Sequence, residues 1–297
     1  MMDLQRALKE PRLMKALTGL TPQEFQRLLV TFAPLLEEEA QAKTRERKPG
    51  AGKKGALRQS PLRKLFFILL YVKIYPTFDV AGFFYDVHRT RPHKWTRQLL
   101  PLLRKTLGRE LAFPERQIRS VEEFLQKFPE AKDLFIDGTE RPRRRPKKGK
   151  AQRRHYTGKK KRHTRKNIVW VDEKKRILLL SPTKHGGLHD KKASDKNGGL
   201  HFIPSDVHIW TDTGFLGHQR DHPNVHMPKK SSKYHPLTAE QRQENSIISG
   251  LRIVVEHAIG GMKRFGAAAD ICRNRQGWDD ELMGVCAGLW NFHLQRP

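Results

Sequence analysis

Apolar residues recur at helical spacing in the N-terminal part of the chain. Thr21 and Pro22 are typical of a helix start, because Thr caps the first turn and Pro fits its first position. The helix predicted from there runs to about Glu39, with an apolar stripe of Phe25, Leu28, Leu29 and Phe32. Residues 43–55 then hold Lys, Arg, Gly and Pro, with Ala51 as their one apolar residue. This composition predicts a solvated linker or arm that stays disordered until it meets an acidic partner.

Three further helices are predicted in close succession after Pro61. Residues 65–74 are almost wholly apolar and should be buried. Residues 77–87 are amphipathic, and the apolar residues in step are Val80, Phe83, Phe84 and Val87. The third helix begins at Pro92 after a basic turn. Pro101 should kink or divide it, because proline has no N–H to donate.

This succession of short helices predicts a helix-turn-helix at about residues 61–108. Basic residues crowd the start of its last helix, where a duplex would be read. The residues expected to face DNA are Arg89, Arg91, His93, Lys94 and Arg97. An ordinary helical bundle with a solvated basic face is the alternative.

Beyond Phe128 the pattern changes from helical to strand-like. Short apolar runs are separated by charged or Gly-containing turns, which is typical of strands. The predicted strands are residues 132–136, 168–171, 177–180, 207–211 and, as a last edge strand, 225–227. The charged turn 172–175 is so short that the strands on either side should pair antiparallel. A terminal helix is predicted at about 279–294.

The helix predicted after Thr238 carries charged residues along one rim of its apolar face. Thr238 and Gln241 have the spacing of a capping box. At about 100° per residue, one apolar arc contains Ile247, Leu251, Val254, Val255, Ala258, Ile259 and Met262. Arg252, Glu256 and Lys263 lie within roughly 40° of each other on the rim, so one carboxylate stands between two cations. A plain surface Arg–Glu pair at i, i+4 is the alternative.

The excess of basic over acidic residues limits the classes of protein to which this chain can belong. Lys and Arg number 59 against 31 Asp and Glu, which gives a formal charge of +28. Such an excess repels itself, and a polyanion is the natural partner. The longest apolar run, 65–72, is too short to span a membrane, and the first residues lack the apolar core of a signal peptide. Cys272 and Cys286 have neither disulfide-framework nor zinc-ribbon spacing, so we expect a cytosolic nucleic-acid binder.

Residues 141–166 are strongly basic, since 15 of these 26 residues are Lys or Arg. A solvated tail is the usual interpretation of such a block. This block lies between predicted strands and directly follows an acidic turn, so we expect a phosphate-binding loop beside a site. Its candidate DNA contacts are Arg143, Arg144, Arg145, Lys147, Lys148, Arg153, Arg154, Lys159, Lys160 and Lys161.

Three carboxylates are candidates for one catalytic site. Asp137 and Asp212 each follow a predicted strand, and acids at strand ends project into the crevice beyond a sheet. Glu256 comes from the later helix. Together the three would repel each other, and a hard divalent cation such as Mg²⁺ removes that conflict. Two such ions about 4 Å apart can promote phosphodiester cleavage. Each aspartate alone could be a simple turn residue.

These residues carry a family resemblance. Asp137 in FIDGTERP, Asp212 in WTDTGFLG and Glu256 in the later helix resemble the catalytic triad of DDE transposases. The helix is similar to the Tyr-Arg-Glu-Lys signature of the insertion-sequence-four and insertion-sequence-five groups. Arg252, Glu256 and Lys263 match its spacing of three and six intervening residues. Ser249 stands where the Tyr is expected, a departure found in the insertion-sequence-five branch.

The resemblance implies an α/β architecture with two parts. It implies a ribonuclease-H-like, mixed-sheet catalytic domain, assigned to residues 126–297 with its core starting near residue 131. An all-α helix-turn-helix domain at residues 1–125 would precede it and recognise terminal inverted repeats. The 43 residues between Asp212 and Glu256 leave no room for an additional β-domain.

The sequence thus predicts a metal-dependent DNA transposase that cuts and joins strands by transesterification. Asp137, Asp212 and Glu256 would hold two Mg²⁺ ions, or Mn²⁺, and Arg252 and Lys263 would hold DNA phosphates. The expected partner is double-stranded DNA, with a homodimer joining two ends in the nucleoid of a prokaryotic cytoplasm. A non-catalytic DNA-binding regulator, a domesticated transposase or an RNA-binding protein of ribosomal type are the alternatives.

Overall fold

A computed structural model of the chain describes residues 4–42, 57, 60–274 and 277–295. The linker predicted at 43–55 lies outside these residues. The described residues form two compact units. One unit includes residues up to Phe113, Lys263–Asp270 and those from Glu281 onwards, and the other includes Pro114–Met262 and residues 271–280. The domain division at residues 125 and 126 stays a prediction.

The first unit is helical. Its helices are α1 (Leu4–Lys9), α2 (Pro11–Thr18), α3 (Pro22–Gln41), α4 (Pro61–Ile74), α5 (Phe78–Tyr85), α6 (Thr90–Arg109), α11 (Gly266–Ala269) and most of α12 (Trp278–Leu294). The predicted start of α3 is confirmed. Thr21 Oγ1 accepts the Glu24 N–H at 3.2 Å, and the Thr21 N–H donates to Glu24 Oε2 at 2.7 Å. The predicted burial of residues 65–74 in α4 is confirmed as far as Val72, whereas Ile74 is 40% exposed.

The expected apolar face of α5 was wrong. Phe83 is 85% exposed and Val80 is 42% exposed, whereas Tyr85 is buried. The Tyr85 ring packs edge-on against Phe67 of α4 and Trp95 of α6, with centroid distances of 5.4 and 5.9 Å. Aromatic pairs of this geometry contribute about 0.5–1.5 kcal/mol beyond area burial. This cluster decides which side of α5 faces inwards.

Pro101 does not divide α6, which continues from Thr90 to Arg109. A proline inside a helix loses one main-chain hydrogen bond and typically destabilises it by ~3 kcal/mol. The neighbouring leucines are buried, and each contributes roughly 1.5–3 kcal/mol by leaving water; they are Leu99, Leu100, Leu102 and Leu103. Their burial outweighs the missing bond. The helix-turn-helix formed by α4 to α6 stays a prediction, and its proposed DNA-facing residues are exposed: Arg89, Arg91, His93, Lys94 and Arg97.

The second unit is built on one mixed sheet. Its strands are β1 (Asp133–Pro142), β2 (Tyr156–Thr157), β3 (Arg162–Val171), β4 (Ile177–Leu180), β5 (Lys184–His185), β6 (His208–Thr211) and β7 (Val225–His226). Their order is β2-β3-β1-β6-β7, and β4 and β5 also pair with β3. β1 is antiparallel to β3, whereas β1–β6 and β6–β7 are parallel. This mixed α/β architecture is compatible with the expected ribonuclease-H-like domain.

Short helices and one long helix complete this unit. They are α7 (Val121–Lys127), α8 (Gly149–His155), α9 (Asp190–Asp195) and α10 (Ala239–Lys263). The apolar core of the unit includes Phe124, Ile136, Ile168, Ile209 and Phe215. The core joins the sheet to the helices and to the segment that follows β6.

The first strand is longer than the sequence predicts. It was expected to end before Asp137, but β1 continues to Pro142. The reason is the equally long β3, which pairs with β1 from Phe135↔Val171 to Pro142↔Thr164 and satisfies its main-chain groups. The basic segment 141–166 is consequently not a single loop. It forms the end of β1, then α8, β2 and the first half of β3.

The buried face of α10 also differs from the predicted arc. Ile248, Val255, Ala258 and Met262 are buried, whereas Ile247 is 58% and Leu251 is 39% exposed. The N-terminal half of α10 borders a groove rather than packed sheet, since Gln241, Glu244 and Ile248 line that groove. The cap itself is confirmed, because Thr238 and Gln241 exchange hydrogen bonds at 3.1 and 3.2 Å. Among the described residues, no helix combines the length and apolar character needed to cross a membrane.

The aromatic cluster gives a stability prediction for α5. Tyr85→Ala is expected to lower the free energy of unfolding by about 3 kcal/mol, because it leaves a cavity beside Phe67. Phe83→Ala, the matched control on the same helix, should change it by less than about 0.5 kcal/mol. Urea unfolding of both variants measures the difference. Equal destabilisation by the two substitutions would show that Phe83 is buried after all.

Candidate active site

Asp137 and Asp212 stand side by side at one level of the sheet. The last residue pair of the parallel strands β1 and β6 is Ile136↔Thr211, so each aspartate is the next residue of its chain. Asp212 keeps an extended backbone, with φ −89° and ψ 173°. Neighbouring strands lie about 4.8 Å apart, and residues at the same level project from the same face. The register therefore brings the two predicted carboxylates together.

Main-chain N–H groups hold one oxygen of each carboxylate. Asp137 Oδ1 accepts the N–H of Gly138 at 2.6 Å, and Asp212 Oδ1 accepts the N–H of Gly214 at 2.7 Å. Both glycines lie close to the side chain of a further acid, Asp190. A Cβ atom at Gly138 would lie 2.9 Å from Asp190 Oδ1, and one at Gly214 would lie 3.0 Å from Asp190 Oδ2.

Asp190 is therefore a third carboxylate beside the pair, and sequence reasoning missed it. It is the first residue of α9. The signal in the sequence was weak: Asp190 opens a helix after a Gly-containing loop, and an acid in a first turn is common for helix-dipole reasons alone. Only the fold brings this helix start to Gly138 and Gly214.

Two cations partly compensate the acids. The buried Lys166 has its Nζ 2.6 Å from Asp190 Oδ1 and 3.4 Å from Glu140 Oε1, and it donates to the Leu188 carbonyl at 2.8 Å. Arg252 Nη2 lies 3.6 Å from Asp137 Oδ2. Lys166 comes from the basic segment, but the sequence did not single it out. Its burial shows that part of the positive charge in that segment holds the site together.

Burial raises the pKa of Asp137 from 3.8 to about 6. The neighbouring charges of Asp212 and Asp190 add to this rise, while the Gly138 N–H and the Arg252 guanidinium oppose it. The ionised form of Asp137 therefore destabilises the folded protein at neutral pH, and a nearby cation reduces this destabilisation. Carboxylate oxygens are the ligands that a hard divalent ion such as Mg²⁺ takes, so the chemistry of these residues fits such an ion. The ligand atoms of Asp137, Asp212 and Asp190 do not form one group within 4.8 Å among the described residues.

Glu256 lies one helical turn after the residue that meets Asp137. Arg252 pairs with Asp137, and no Arg252–Glu256 ion pair forms among the described residues. Glu256 follows about 40° further round α10, and its side chain is exposed. Lys263 is the last residue of α10 and is half-buried. The roles assigned to Glu256 and Lys263 stay predictions.

The predicted DNA contacts of the basic segment differ in exposure. Arg143 is half-buried, and its Nη1 lies 2.9 Å from His155 Nε2. Burial lowers the pKa of His155 to about 4, so its neutral ring accepts from Arg143. The other candidates are exposed, and they are Arg144, Arg145, Lys147, Lys148, Arg153, Arg154, Lys159, Lys160 and Lys161. Binding by all of these residues stays a prediction.

A groove of about 860 Å³ begins directly after Asp212. Its lining includes Thr213, which follows Asp212, and Gln241 and Ile248 of α10. The segment between β7 and α10 supplies cationic and aromatic side chains: Lys229, Lys230, Tyr234 and His235. Cations with aromatic rings are suited to the backbone and bases of a nucleic acid strand.

Paired aspartates on a mixed sheet, beside a helix that carries Arg and Glu, are compatible with the active site of an endonuclease. Residues 136–291 match the family model described as DDE superfamily endonuclease. This span is more than half of the chain and includes Asp137, Asp212 and Glu256. The chain therefore belongs to the DDE superfamily endonuclease family.

A named relative agrees with this family. The probable transposase for insertion sequence element IS702 from Microchaete diplosiphon is 30% identical over 171 residues, which is 57% of this chain. The match spans 60% of that relative's length. No solved structure gives a significant match to the chain.

The raised pKa of Asp137 gives a pH-dependent prediction. Folded protein binds more protons than unfolded protein between pH 3.8 and about 6, so Asp137 makes stability fall as pH rises through this window. Asp137→Asn removes the buried charge and keeps an oxygen for the Gly138 N–H. In the presence of EDTA, we expect this substitution to raise the free energy of unfolding at pH 8 by on the order of 1 kcal/mol, and by less at pH 5.

Thermal unfolding of the variant at both pH values measures this effect. Asp206→Asn is the control, because Asp206 is exposed and should give no change at either pH. An Asp137→Asn protein that is no more stable than the parent at pH 8 would contradict the assigned burial cost.

Proposed function

We propose that this protein is a DNA transposase of an insertion sequence. It would bind the terminal inverted repeats of its element and catalyse Mg²⁺-dependent strand cleavage and strand transfer. The observation that carries this proposal is the register Ile136↔Thr211, which sets Asp137 beside Asp212 in a chain of the DDE superfamily endonuclease family. The similarity to a probable insertion-sequence transposase supports the same activity.

Asp137, Asp212 and Glu256 would hold the divalent ions, two Mg²⁺ or in their place Mn²⁺. Bound there, such ions supply activation of the attacking water or 3′-hydroxyl and stabilisation of the leaving oxygen. The oxygens of Asp137 and Asp212 that are not held by Gly138 and Gly214 are the natural ligand atoms. Asp190 lies close enough to add negative charge to the same place.

The cations of the site have separate tasks. Lys166 is buried against Asp190 and Glu140, so it fixes carboxylates and stays out of reach of DNA. Arg252 compensates Asp137 and is only partly buried, with 13% of its side chain exposed. With a divalent cation held by the acids, the Arg252 guanidinium would be available to bind a non-bridging phosphate oxygen.

DNA would be held by several basic surfaces. The groove after Asp212 and the exposed cations of residues 144–161 lie in the same unit as the acids. The exposed cations at the start of α6 supply a second surface, for reading the inverted repeats through the major groove. Joining two element ends requires two sites, so we propose that a homodimer acts on DNA.

Amide substitutions test the catalytic proposal. Asp137→Asn, Asp212→Asn and Glu256→Gln should each lower Mg²⁺-dependent cleavage at least about 100-fold, because each removes a charged ligand. Binding of the same DNA should persist. The substrate is a plasmid carrying this coding sequence with its flanking genomic DNA, and cleavage is followed on gels with and without Mg²⁺.

Glu240→Gln on α10 and Asp206→Asn are matched controls, since both residues are exposed. Both should cleave like the parent protein. Undiminished cleavage by Glu256→Gln alone would remove Glu256 from the site. Plasmid binding without cleavage by the parent protein would favour a non-catalytic DNA-binding protein.

A salt titration tests the proposed reading helix. Arg91→Ala and Lys94→Ala should each weaken DNA binding and reduce the slope of log K against log salt by about one, because each phosphate contact releases a counterion. Lys9→Ala, an exposed cation on α1, is the control. An unchanged affinity and slope in the Arg91 and Lys94 variants would place the reading helix elsewhere.

A further inference from the structure

A second group of metal-ligand side chains lies apart from the paired aspartates. Asp195 ends α9, His218 begins the 3₁₀ turn His218–Arg220, and Asp221 follows that turn. One donor atom from each of these three residues lies within 4.8 Å of the other two. The group thus joins α9 to the segment that continues from Asp212.

The environment of the His218 side chain suggests that an ion binds in this group. Its side chain is fully buried, and neither ring nitrogen has a hydrogen-bond partner among the described residues. Its Nε2 is directed at the acids, 3.9 Å from Asp195 Oδ1. A buried polar group without a partner destabilises a fold by about 1–3 kcal/mol, so an orphaned imidazole requires an explanation.

The ammonium group of Lys191 occupies the position at which the two carboxylates bind a positive charge. Its Nζ lies 2.9 Å from Asp195 Oδ1 and 2.7 Å from Asp221 Oδ2, so both carboxylates already converge on one positive charge. The ammonium group satisfies the two acids but leaves the ring nitrogens of His218 without a partner. A metal ion would take one oxygen of each acid and one ring nitrogen of His218. The Lys191 side chain is 23% exposed, which leaves it a route to solvent.

We propose that Asp195, His218 and Asp221 form a binding site for a divalent transition metal such as Zn²⁺ or Mn²⁺. Imidazole nitrogen together with carboxylate oxygen suits these ions, whereas Mg²⁺ favours oxygen ligands. Lys191 is the internal cation that neutralises the acids when the metal is absent. The bound metal links α9, which begins with Asp190, to the segment after Asp212, and so braces two elements beside the candidate active site.

The test uses the full chain in an Asp137→Asn, Asp212→Asn, Glu256→Gln background, which removes the candidate catalytic metal ligands. After EDTA treatment and its removal, ZnCl₂, MnCl₂ or MgCl₂ is titrated by calorimetry and in thermal unfolding. One equivalent of Zn²⁺ or Mn²⁺ should bind and raise the unfolding temperature, and Mg²⁺ should bind much more weakly. Absent Zn²⁺ and Mn²⁺ binding, or equal binding of Mg²⁺, would overturn the proposal.

Substitutions in the same background identify the ligands. His218→Ala and Asp221→Asn should each weaken Zn²⁺ binding about 10–100-fold. His88→Ala is the matched control, because His88 is an exposed histidine of the helical unit and should leave binding unchanged. Unchanged binding in the His218 and Asp221 variants would overturn the site.

Lys191→Met is an independent test, because it keeps all three proposed ligands. Its result therefore does not require that the fold tolerate the loss of the buried His218 side chain. Without metal this variant should unfold at a lower temperature, because two carboxylates lose their cation. It should bind Zn²⁺ about tenfold more tightly, since the competing ammonium is gone. A Lys191→Met protein that is destabilised and not rescued by Zn²⁺ would show that the group is an ordinary ion pair.

Discussion

The parallel pairing of β1 with β6 ends at Ile136 and Thr211, and that register forces Asp137 and Asp212 into neighbouring positions. Two carboxylates on neighbouring strands repel each other where water is partly excluded, and the carboxylate of Asp190 adds a third negative charge. The main-chain N–H groups of Gly138 and Gly214 fix one oxygen of each strand aspartate. The three carboxylates therefore form a negatively charged site in a protein whose overall charge is strongly positive.

The protein divides its positive charge between internal and external tasks. Lys166 is buried against Asp190 and Glu140, and Arg165 pairs with Asp279 at 2.8 Å. Arg141 is fully buried within the sheet. Neighbouring Lys and Arg residues on and around α8 remain exposed. A basic segment that looks uniform in the sequence is thus part scaffold and part exposed positive surface, because β1 and β3 extend into it from both sides.

Local signals in the sequence predicted well where a residue acts on its immediate neighbours. The cap at Thr21, the capping box at Thr238, the burial of residues 65–72 within the predicted helix 65–74 and the strand 177–180 were confirmed, because caps and long apolar runs depend on nearby residues. The buried faces of the helices were predicted less well. Phe83 and Ile247 are exposed despite helical periodicity, since an aromatic cluster in one unit and a groove in the other decide which side is covered.

The sequence alone determined the family, the helical and α/β parts, and Asp137 and Asp212 as the strand-borne acids. It did so because the family's motifs are short and local. Only the tertiary structure decided that β1 continues past Asp137, that Asp190 and Lys166 join the site, and that Arg252 pairs with Asp137 rather than Glu256. These contacts connect residues far apart in the chain, so their formation depends on sheet register and helix placement, which no local pattern encodes.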